Sequence, residues 1–201
     1  RPSDWNQRQV ITGYWRIPEP KWNPPDGVQS FIEASPHNTI AIGLGSPGTK
    51  NFPRMMQVLD EALRRSNTRA VLTIPAKWHA HIQSDRICAI EYAPHDWLYR
   101  HVRVAVHHGG AGTTSASVHA GIPSVTLPLA IDQFFWGERI HKIGTGAEPI
   151  PQRSLTADRL ANAIQQLLGD DCFHEAAKRV SVALSREHGV QAAVKVIRDV
   201  L

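Results

Sequence analysis

At 201 residues the chain suits one domain with a sizeable core, and its 42% hydrophobic and 20% charged residues are typical of a folded globular protein. No apolar run approaches the ~20 residues of a membrane span, and two cysteines, Cys88 and Cys172, are too few for a disulfide scaffold, so we expect a cytoplasmic protein. The net charge of +4 comes from scattered Lys and Arg, which argues against a nucleic-acid partner and favours an anionic ligand or peripheral membrane contact.

Residues 1–37 form an irregular start that is rich in proline. We predict a linker of loop structure here, with a short extended piece at residues 10–12 and one helical turn at residues 31–32. From residue 38 onward, apolar strands alternate with amphipathic helices. The predicted strands are residues 39–43, 70–74, 87–90, 102–106 and 123–127. The predicted helices are residues 52–66, a segment ending near residue 120, and residues 133–143, 157–168, 171–187 and 190–201, with a break at Gly189.

This alternation implies a parallel sheet that is covered on both faces. We therefore predict an α/β fold, a Rossmann-like doubly wound parallel sheet with helices on both faces. It forms a single domain over residues 1–201, with the α/β core and the C-terminal helices at 38–201. Ligands bind such sheets beyond the carboxyl ends of the strands. The loops expected there are residues 43–50, 75–81, 92–98, 107–114 and 128–133.

The first glycine-rich loop, Gly43-Leu-Gly45-Ser-Pro-Gly48, matches the G-x-G-x-x-G pattern of dinucleotide-binding proteins. The match is weak because the next strand ends without an acidic residue for a ribose, and because Pro47 lacks a backbone donor. An NAD-dependent oxidoreductase is therefore a minor alternative. A P-loop does not fit, since Gly48 is followed by Thr-Lys rather than Lys-Thr.

The second glycine-rich loop, His107-His-Gly-Gly-Ala-Gly-Thr-Thr114, lies between a predicted strand and a predicted helix. Its three glycines allow the backbone to approach a bulky anion. The helix start adds free N–H groups and the positive end of the helix dipole. This pattern predicts a phosphate site, and the alternative is a tight strand–helix turn without a ligand.

The second loop is part of a longer motif, His107-His-Gly-Gly-Ala-Gly-Thr-Thr-Ser-Ala-Ser-Val-His-Ala-Gly-Ile-Pro-Ser-Val-Thr-Leu-Pro, followed by Asp132-Gln-Phe-Phe-Trp-Gly. This motif closely resembles the donor-binding motif of GT-B-fold glycosyltransferases, in particular the sterol glucosyltransferase and antibiotic glycosyltransferase branch of the UDP-glycosyltransferase superfamily. Gly43-Leu-Gly-Ser46 resembles the first strand–loop of that family, and Ala93-Pro-His-Asp-Trp-Leu98 its base-binding loop. The resemblance covers the whole chain and implies the nucleotide-sugar-binding C-terminal half of a GT-B fold.

The resemblance assigns residues to three parts of a nucleotide-sugar donor. Those implied to hold the diphosphate are His108, the backbone of Gly110, Gly112 and Thr113, the hydroxyl of Thr114, and Ser46 of the first loop. Those implied to hold the base are the backbone of Ala93 and His95, with Tyr92 or a neighbouring ring stacking on it. Those implied to hold the sugar hydroxyls are Asp132 and Gln133.

Two positions depart from the plant members of the superfamily. Tyr92 stands where those members have Trp, and Ala116 stands where they have a ribose-binding Glu. Alanine at the second position also occurs in the sterol and antibiotic branch, so it places the chain in that branch.

The resemblance implies an inverting glycosyltransferase that transfers hexose from a UDP- or dTDP-sugar to a lipid-like or polycyclic acceptor, such as a sterol or an antibiotic aglycone. No Asp-x-Asp motif occurs, so we expect no metal or cofactor, with His108 and the helix start stabilising the leaving diphosphate. The catalytic base and the acceptor pocket are implied to lie on an N-terminal domain outside this chain. We therefore expect a piece of a longer protein, or one subunit of two, that is inactive alone. The alternative is a nucleotide-sugar-binding or scaffolding module without catalysis.

Other chemically active side chains receive structural interpretations. His79 and His81 are interpreted as solvated rather than metal-binding. Asp96 and Trp97 are expected to fix their loop rather than to touch a ligand, and Trp136 to pack at the interface with the other domain.

Overall fold

The computed structural model describes residues 3–6, 8–16, 21–45 and 52–200. Its strands are β1 (Thr39–Gly43), β2 (Arg69–Thr73), β3 (Ile87–Ile90), β4 (Ala105–His107) and β5 (Ser124–Thr126). Its α-helices are α1 (Val28–Glu33), α2 (Phe52–Ser66), α3 (His95–Leu98), α4 (Ala111–Ala120), α5 (Gln133–Lys142), α6 (Ala157–Gly169), α7 (Asp171–Leu184) and α8 (Gly189–Val200). Within the described ranges, short 3₁₀ helices span Ala76–His81 and Gln152–Ser154.

The five strands form one parallel sheet in the order β3-β2-β1-β4-β5. In the central register, Ile42 of β1 lies opposite Leu72 of β2 on one side and Val106 of β4 on the other. The chain winds outward from β1 through β2 and β3, and then crosses back to β4 and β5. The strand order therefore changes direction between β1 and β4, which is where ligands bind in open sheets of this kind.

Alternate residues of β1 face two different hydrophobic clusters. Ile40 and Ile42 contribute to a cluster that includes residues of α2 and α6, such as Leu63 and Ile164. Ala41 contributes to a second cluster, which contains residues of α1, α3 and α4. Full burial of one such Leu or Ile side chain contributes roughly 1.5–3 kcal/mol to stability. The predicted parallel α/β fold with helices on both faces is confirmed.

Strand β4 begins later and ends later than the predicted range of 102–106. The backbone upstream still contacts β1, since the N–H of Ala41 donates to the carbonyl of Val104 at 3.0 Å. His107 belongs to the strand because its carbonyl accepts the N–H of Leu127 at 2.8 Å. The loop at the carboxyl end of β4 therefore starts at His108.

The end of the chain also differs from the prediction. Helix α7 ends at Leu184 rather than at residue 187, and Gly189 is the first residue of α8 rather than a break. Gly189 is packed so tightly on the carbonyl of Tyr14 that an added Cβ would overlap that oxygen. At the start of the chain, α1 is longer than the predicted single turn, and residues 10–12 lie in no strand.

None of the helices in the part of the chain that the structure describes is long and apolar enough to span a lipid bilayer.

Candidate functional site

The loops that follow β1 and β4 meet at the point where the strand order reverses. Gly45, in the left-handed region with φ 72°, lies beside His108, and a Cβ added there would be 3.1 Å from the Nδ1 of that ring. At the other ring nitrogen, a Cβ added to Gly110 would overlap the Nε2 of His108. The imidazole of His108 is thus held between two glycines. Its buried Nδ1 has no hydrogen-bond partner among the described residues.

The turn that presents His108 is built from its neighbours. His107 is fully buried at the end of β4, and its Nδ1 accepts the N–H of Gly109 at 3.1 Å. Gly109 has φ 86°, and a Cβ there would be 2.8 Å from the carbonyl oxygen of Gln133. Only glycine combines this conformation with so close an approach.

The buried position of His107 determines its protonation state. Burial, and then the nearby rings of His108 and His95, lower the pKa of His107 to about 3. His107 is therefore neutral near pH 7, and since its Nδ1 accepts a hydrogen bond, its proton lies on Nε2. Burial also lowers the pKa of His95, with a further contribution from His108. The sequence did not predict that His107 would be the buried, neutral ring that accepts the N–H of Gly109, because the sequence alone does not distinguish His107 from His108.

Helix α4 begins directly after Gly110, so its N-terminus lies beside the imidazole of His108. The first intrahelical bond runs from the N–H of Thr114 to the carbonyl of Gly110, at 2.9 Å. No described side chain caps this helix, so the N–H groups of the preceding turn lie at the positive end of the helix dipole without an intrahelical acceptor. The buried hydroxyl of Thr114 likewise has no partner in the described ranges.

The structure thus brings most of the predicted diphosphate residues together at one helix start. Those found there are His108, Gly110, Gly112, Thr113 and Thr114. Ser46 lies outside the described residues. The arrangement offers backbone N–H groups, one imidazole and one hydroxyl to an anion, which is the chemistry of a phosphate site.

The loop between β5 and α5 presents Asp132 and Gln133. The Oε1 of Gln133 accepts the N–H groups of Leu129 at 2.8 Å and Ala130 at 3.2 Å, while the Oδ2 of Asp132 accepts the indole N–H of Trp136 at 3.1 Å. Within the described residues, Gln133 Nε2 and Asp132 Oδ1 make no hydrogen bond and are available to a ligand. The support that Gln133 gives to its own loop was not predicted, and the contact of Asp132 and Gln133 with a sugar stays a prediction.

The predicted base loop lies at the end of β3, before α3. Tyr92 is 59% exposed, whereas Ala93 is buried, and α3 starts at His95. The ring of His95 lies 5.2 Å from that of Tyr99, whose pKa is raised by burial. Helices α3 and α4 are in contact, so the base loop and the loop after β4, which lead into these helices, are neighbours.

Four other side chains make contacts that bear on the structural roles predicted for them. The Nε2 of His79 lies 3.0 Å from the carbonyl oxygen of Ile74, so this ring is not simply solvated as predicted. Asp96 pairs with Arg16, and Trp97 stacks on His101 with ring centroids 4.3 Å apart, in agreement with the predicted role in fixing the loop. Trp136 contacts Tyr14, and its place at a domain interface stays a prediction.

Comparison with known sequences identifies the relatives of this chain. Residues 56–195 match the family described as erythromycin biosynthesis protein CIII-like, C-terminal domain. The chain is 33% identical over 198 residues to a sterol 3-beta-glucosyltransferase of Arabidopsis thaliana, covering 97% of this chain and 31% of the relative. It is 30% identical over 199 residues to the O-mycaminosyltylonolide 6-deoxyallosyltransferase of Streptomyces fradiae, covering 99% of this chain and 46% of the relative. The chain therefore spans less than half the length of these two relatives.

Solved structures share the fold. The glycotransferase of kitacinnamycin superposes with a TM-score of 0.77 at 22% identity, covering 98% of this chain and 50% of that one. The UDP-glucose: anthocyanidin 3-O-glucosyltransferase in complex with UDP superposes with a TM-score of 0.73 at 18% identity, covering 91% and 44%. These likenesses confirm the fold of one half of a GT-B glycosyltransferase. The family match covers more than half of the residues of this chain. The chain therefore belongs to the family of erythromycin biosynthesis protein CIII-like C-terminal domains.

Proposed function

We propose that this chain binds a nucleoside diphosphate hexose, linked to UDP or dTDP, as the donor half of an inverting glycosyltransferase. The observation that carries the proposal is the position of His108, held between Gly45 and Gly110 beside the open start of α4. A diphosphate at this point would meet the imidazole and the backbone N–H groups together. The position lies at the change of strand order, where the fold leaves a crevice for a ligand.

These groups suit the chemistry of glycosyl transfer. The bond between the anomeric carbon and the diphosphate oxygen breaks, and negative charge builds up on the departing diphosphate. Fixed donors aimed at developing charge typically contribute about 3–4 kcal/mol each. The proposal assigns this stabilisation to His108 and the N-terminus of α4, with no metal or other cofactor, and the orientation of the hexose to Asp132 and Gln133.

The acceptor is proposed from the relatives. One is named for a sterol and another for a mycaminosyltylonolide, and both names support a lipid-like or polycyclic acceptor for the whole protein. A sterol acceptor would bring the protein into peripheral contact with a membrane. In this proposal another domain supplies the acceptor pocket and the catalytic base, so the chain alone binds the donor without transferring its sugar.

Calorimetry of the chain with UDP, dTDP, GDP and NAD, supported by thermal unfolding, tests the proposal. A ligand at about 100 times its dissociation constant stabilises the fold by about 2.7 kcal/mol, which is readily detected. Binding of UDP or dTDP in preference to GDP and NAD is the expected result. Preferential binding of NAD would favour the oxidoreductase alternative, and binding of none of the four would contradict the proposal.

A further inference from the structure

The described part of the N-terminal segment, residues 8–16 and 21–27, contacts α3 at two consecutive residues. The guanidinium of Arg16 forms an ion pair with the carboxylate of Asp96. The ring of Trp22 packs edge-on against Trp97, with centroids 4.9 Å apart. The first turn of α3 is thus held from the N-terminal segment by one charged contact and one aromatic contact.

The N-terminal segment is itself anchored to the core. The ring of Tyr14 lies 5.6 Å from that of His119 in α4 and 6.2 Å from that of Trp136 in α5. Its carbonyl packs on Gly189, at the start of α8. Arg16, two residues later, is therefore presented to Asp96 from a backbone that is already fixed against three helices.

The contacts of α3 matter because of what precedes this short helix. Ala93 and Pro94 lead directly into it, so the orientation of its first turn sets the position of the backbone at residues 92–95. At its other end, Leu98 and Tyr99 are buried in the second hydrophobic cluster. The buried end fixes α3 to the sheet, and the ion pair holds the end that adjoins the base loop.

We propose that Arg16 and Asp96 are positioning residues for the nucleotide base. Their ion pair fixes the first turn of α3 and thereby holds the loop at residues 92–95 in the geometry that binds a pyrimidine. This inference rests on the proposed function, which assigns that loop to the base. The diphosphate, held at α4 by His108, does not depend on the ion pair.

The ion pair between Arg16 and Asp96 is partly exposed, so it can be broken without unfolding the chain. The side chains of Arg16 and Asp96 are 39% and 30% exposed, and ion pairs with this exposure contribute little to global stability. Breaking the pair should therefore leave the melting temperature nearly unchanged. A loss of nucleotide affinity would then report on the loop and not on unfolding.

The experiment compares the wild type with Arg16→Ala, Arg16→Lys and Asp96→Asn, using calorimetry with UDP or dTDP, whichever the wild type binds, and competition by inorganic pyrophosphate. Arg16→Ala and Asp96→Asn should bind the nucleotide about three- to fivefold more weakly, the range open to an exposed ion pair. Arg16→Lys should restore most of this loss. The double variant should be no weaker than either single variant, because both remove the same interaction. Pyrophosphate should bind all variants equally.

A matched control is Arg65→Ala, which breaks the ion pairs of Arg65 in α2 with Glu61 and with Asp158 of α6. The side chains of Arg65 and Asp158 are 42% and 70% exposed. This variant should leave nucleotide affinity unchanged. Wild-type affinity in Arg16→Ala, or a failure of Arg16→Lys to rescue, would overturn the positioning role while leaving the proposed function intact. If the wild type binds neither UDP nor dTDP, the proposed function fails and this inference falls with it.

Discussion

The imidazole of His108 occupies the space that a side chain at Gly110 would need. Gly45, from the loop after β1, packs at the other nitrogen of the same ring, where an added Cβ would lie 3.1 Å from Nδ1. Two loops from neighbouring strands therefore fix one ring at the start of α4. The ring limits side-chain size at both glycine positions, and at Gly45 a positive φ of 72° favours glycine as well.

Removing the imidazole should weaken nucleotide binding. We predict that His108→Ala lowers the affinity for UDP or dTDP by roughly tenfold or more, since a fixed donor to the diphosphate is lost. Calorimetry measures the effect. His37→Ala is the control, because His37 is exposed in the turn before β1, at the opposite end of the sheet. Equal affinity in the two variants would contradict the assignment of His108.

Displacing the ring without removing it should have a similar effect. We predict that Gly110→Ala weakens nucleotide binding about as much as His108→Ala does, because the added methyl group forces the imidazole out of its position. Gly169→Ala is the matched substitution, since a Cβ added at Gly169 in α6 would meet no atom within 4 Å other than its chain neighbours and the adjacent helix backbone. Both variants should keep their helical content by circular dichroism. Unaltered binding in Gly110→Ala would show that the position of the ring does not matter.

The burial of His107 predicts a dependence of stability on pH. Its pKa is about 3 in the folded chain and about 6.5 in an unfolded one, so the unfolded chain binds more protons between these values. The stability contributed by neutral His107 is therefore fully present above about pH 6.5 and is lost progressively as the pH falls toward 3. The free energy of unfolding should decline on acidification from about pH 6.5 to 5, a range above the titration of most carboxylates.

His107→Asn tests the origin of this decline, since the Oδ1 of Asn is placed to accept the N–H of Gly109. Urea unfolding at several pH values should give a slope that is smaller by up to about 1.4 kcal/mol per pH unit. His95 and His174, whose pKa values are also lowered by burial, should account for a residual slope. Gly169→Ala, which removes no titratable group, should keep the wild-type slope. A wild-type slope in His107→Asn would mean that another group is responsible.

The two functions of the Gln133 side chain can be separated. Gln133→Glu keeps an oxygen that accepts the N–H groups of Leu129 and Ala130 but removes the amide donor proposed for the hexose. We predict that the ratio of UDP-glucose affinity to UDP affinity falls by about fivefold in this variant, or the corresponding dTDP ratio if the chain binds dTDP. Because a new negative charge near the diphosphate weakens the binding of both ligands, the ratio of the two affinities is the informative quantity. Gln133→Ala should also lower the melting temperature, because it removes the hydrogen bonds to the loop. An unchanged affinity ratio in both variants would exclude a sugar contact.

Much of the fold could be predicted from local sequence patterns. Strand β1, helix α2 and strand β3 lie where they were predicted, because a short apolar run and a helical repeat of buried residues such as Leu59 and Leu63 are local signals. Strand β4 was misplaced because the hydrogen bond from Leu127 to the His107 carbonyl decides where it ends. That bond depends on a partner strand and leaves no mark in the neighbouring sequence.

The candidate site also has parts that could be predicted from the sequence and parts that could not. The glycines and His108 form one continuous motif, so their proximity could be predicted. The ion pair between Arg16 and Asp96 joins residues 80 positions apart, with no local pattern to mark either one. The support that Gln133 gives to its own loop likewise depends on the fold of the turn, and only the structure reveals it.

Donor binding at the start of α4 can be observed directly by titrating the isotope-labelled chain with UDP and with dTDP and following the backbone amide signals in NMR spectra. We expect saturable shifts that are largest at Gly110, Gly112 and Thr113, with smaller shifts at Ala93, and we expect these shifts to be lost in His108→Ala. Unchanged amide signals at the start of α4 at millimolar nucleotide, or shifts confined to another surface, would contradict donor binding at this site.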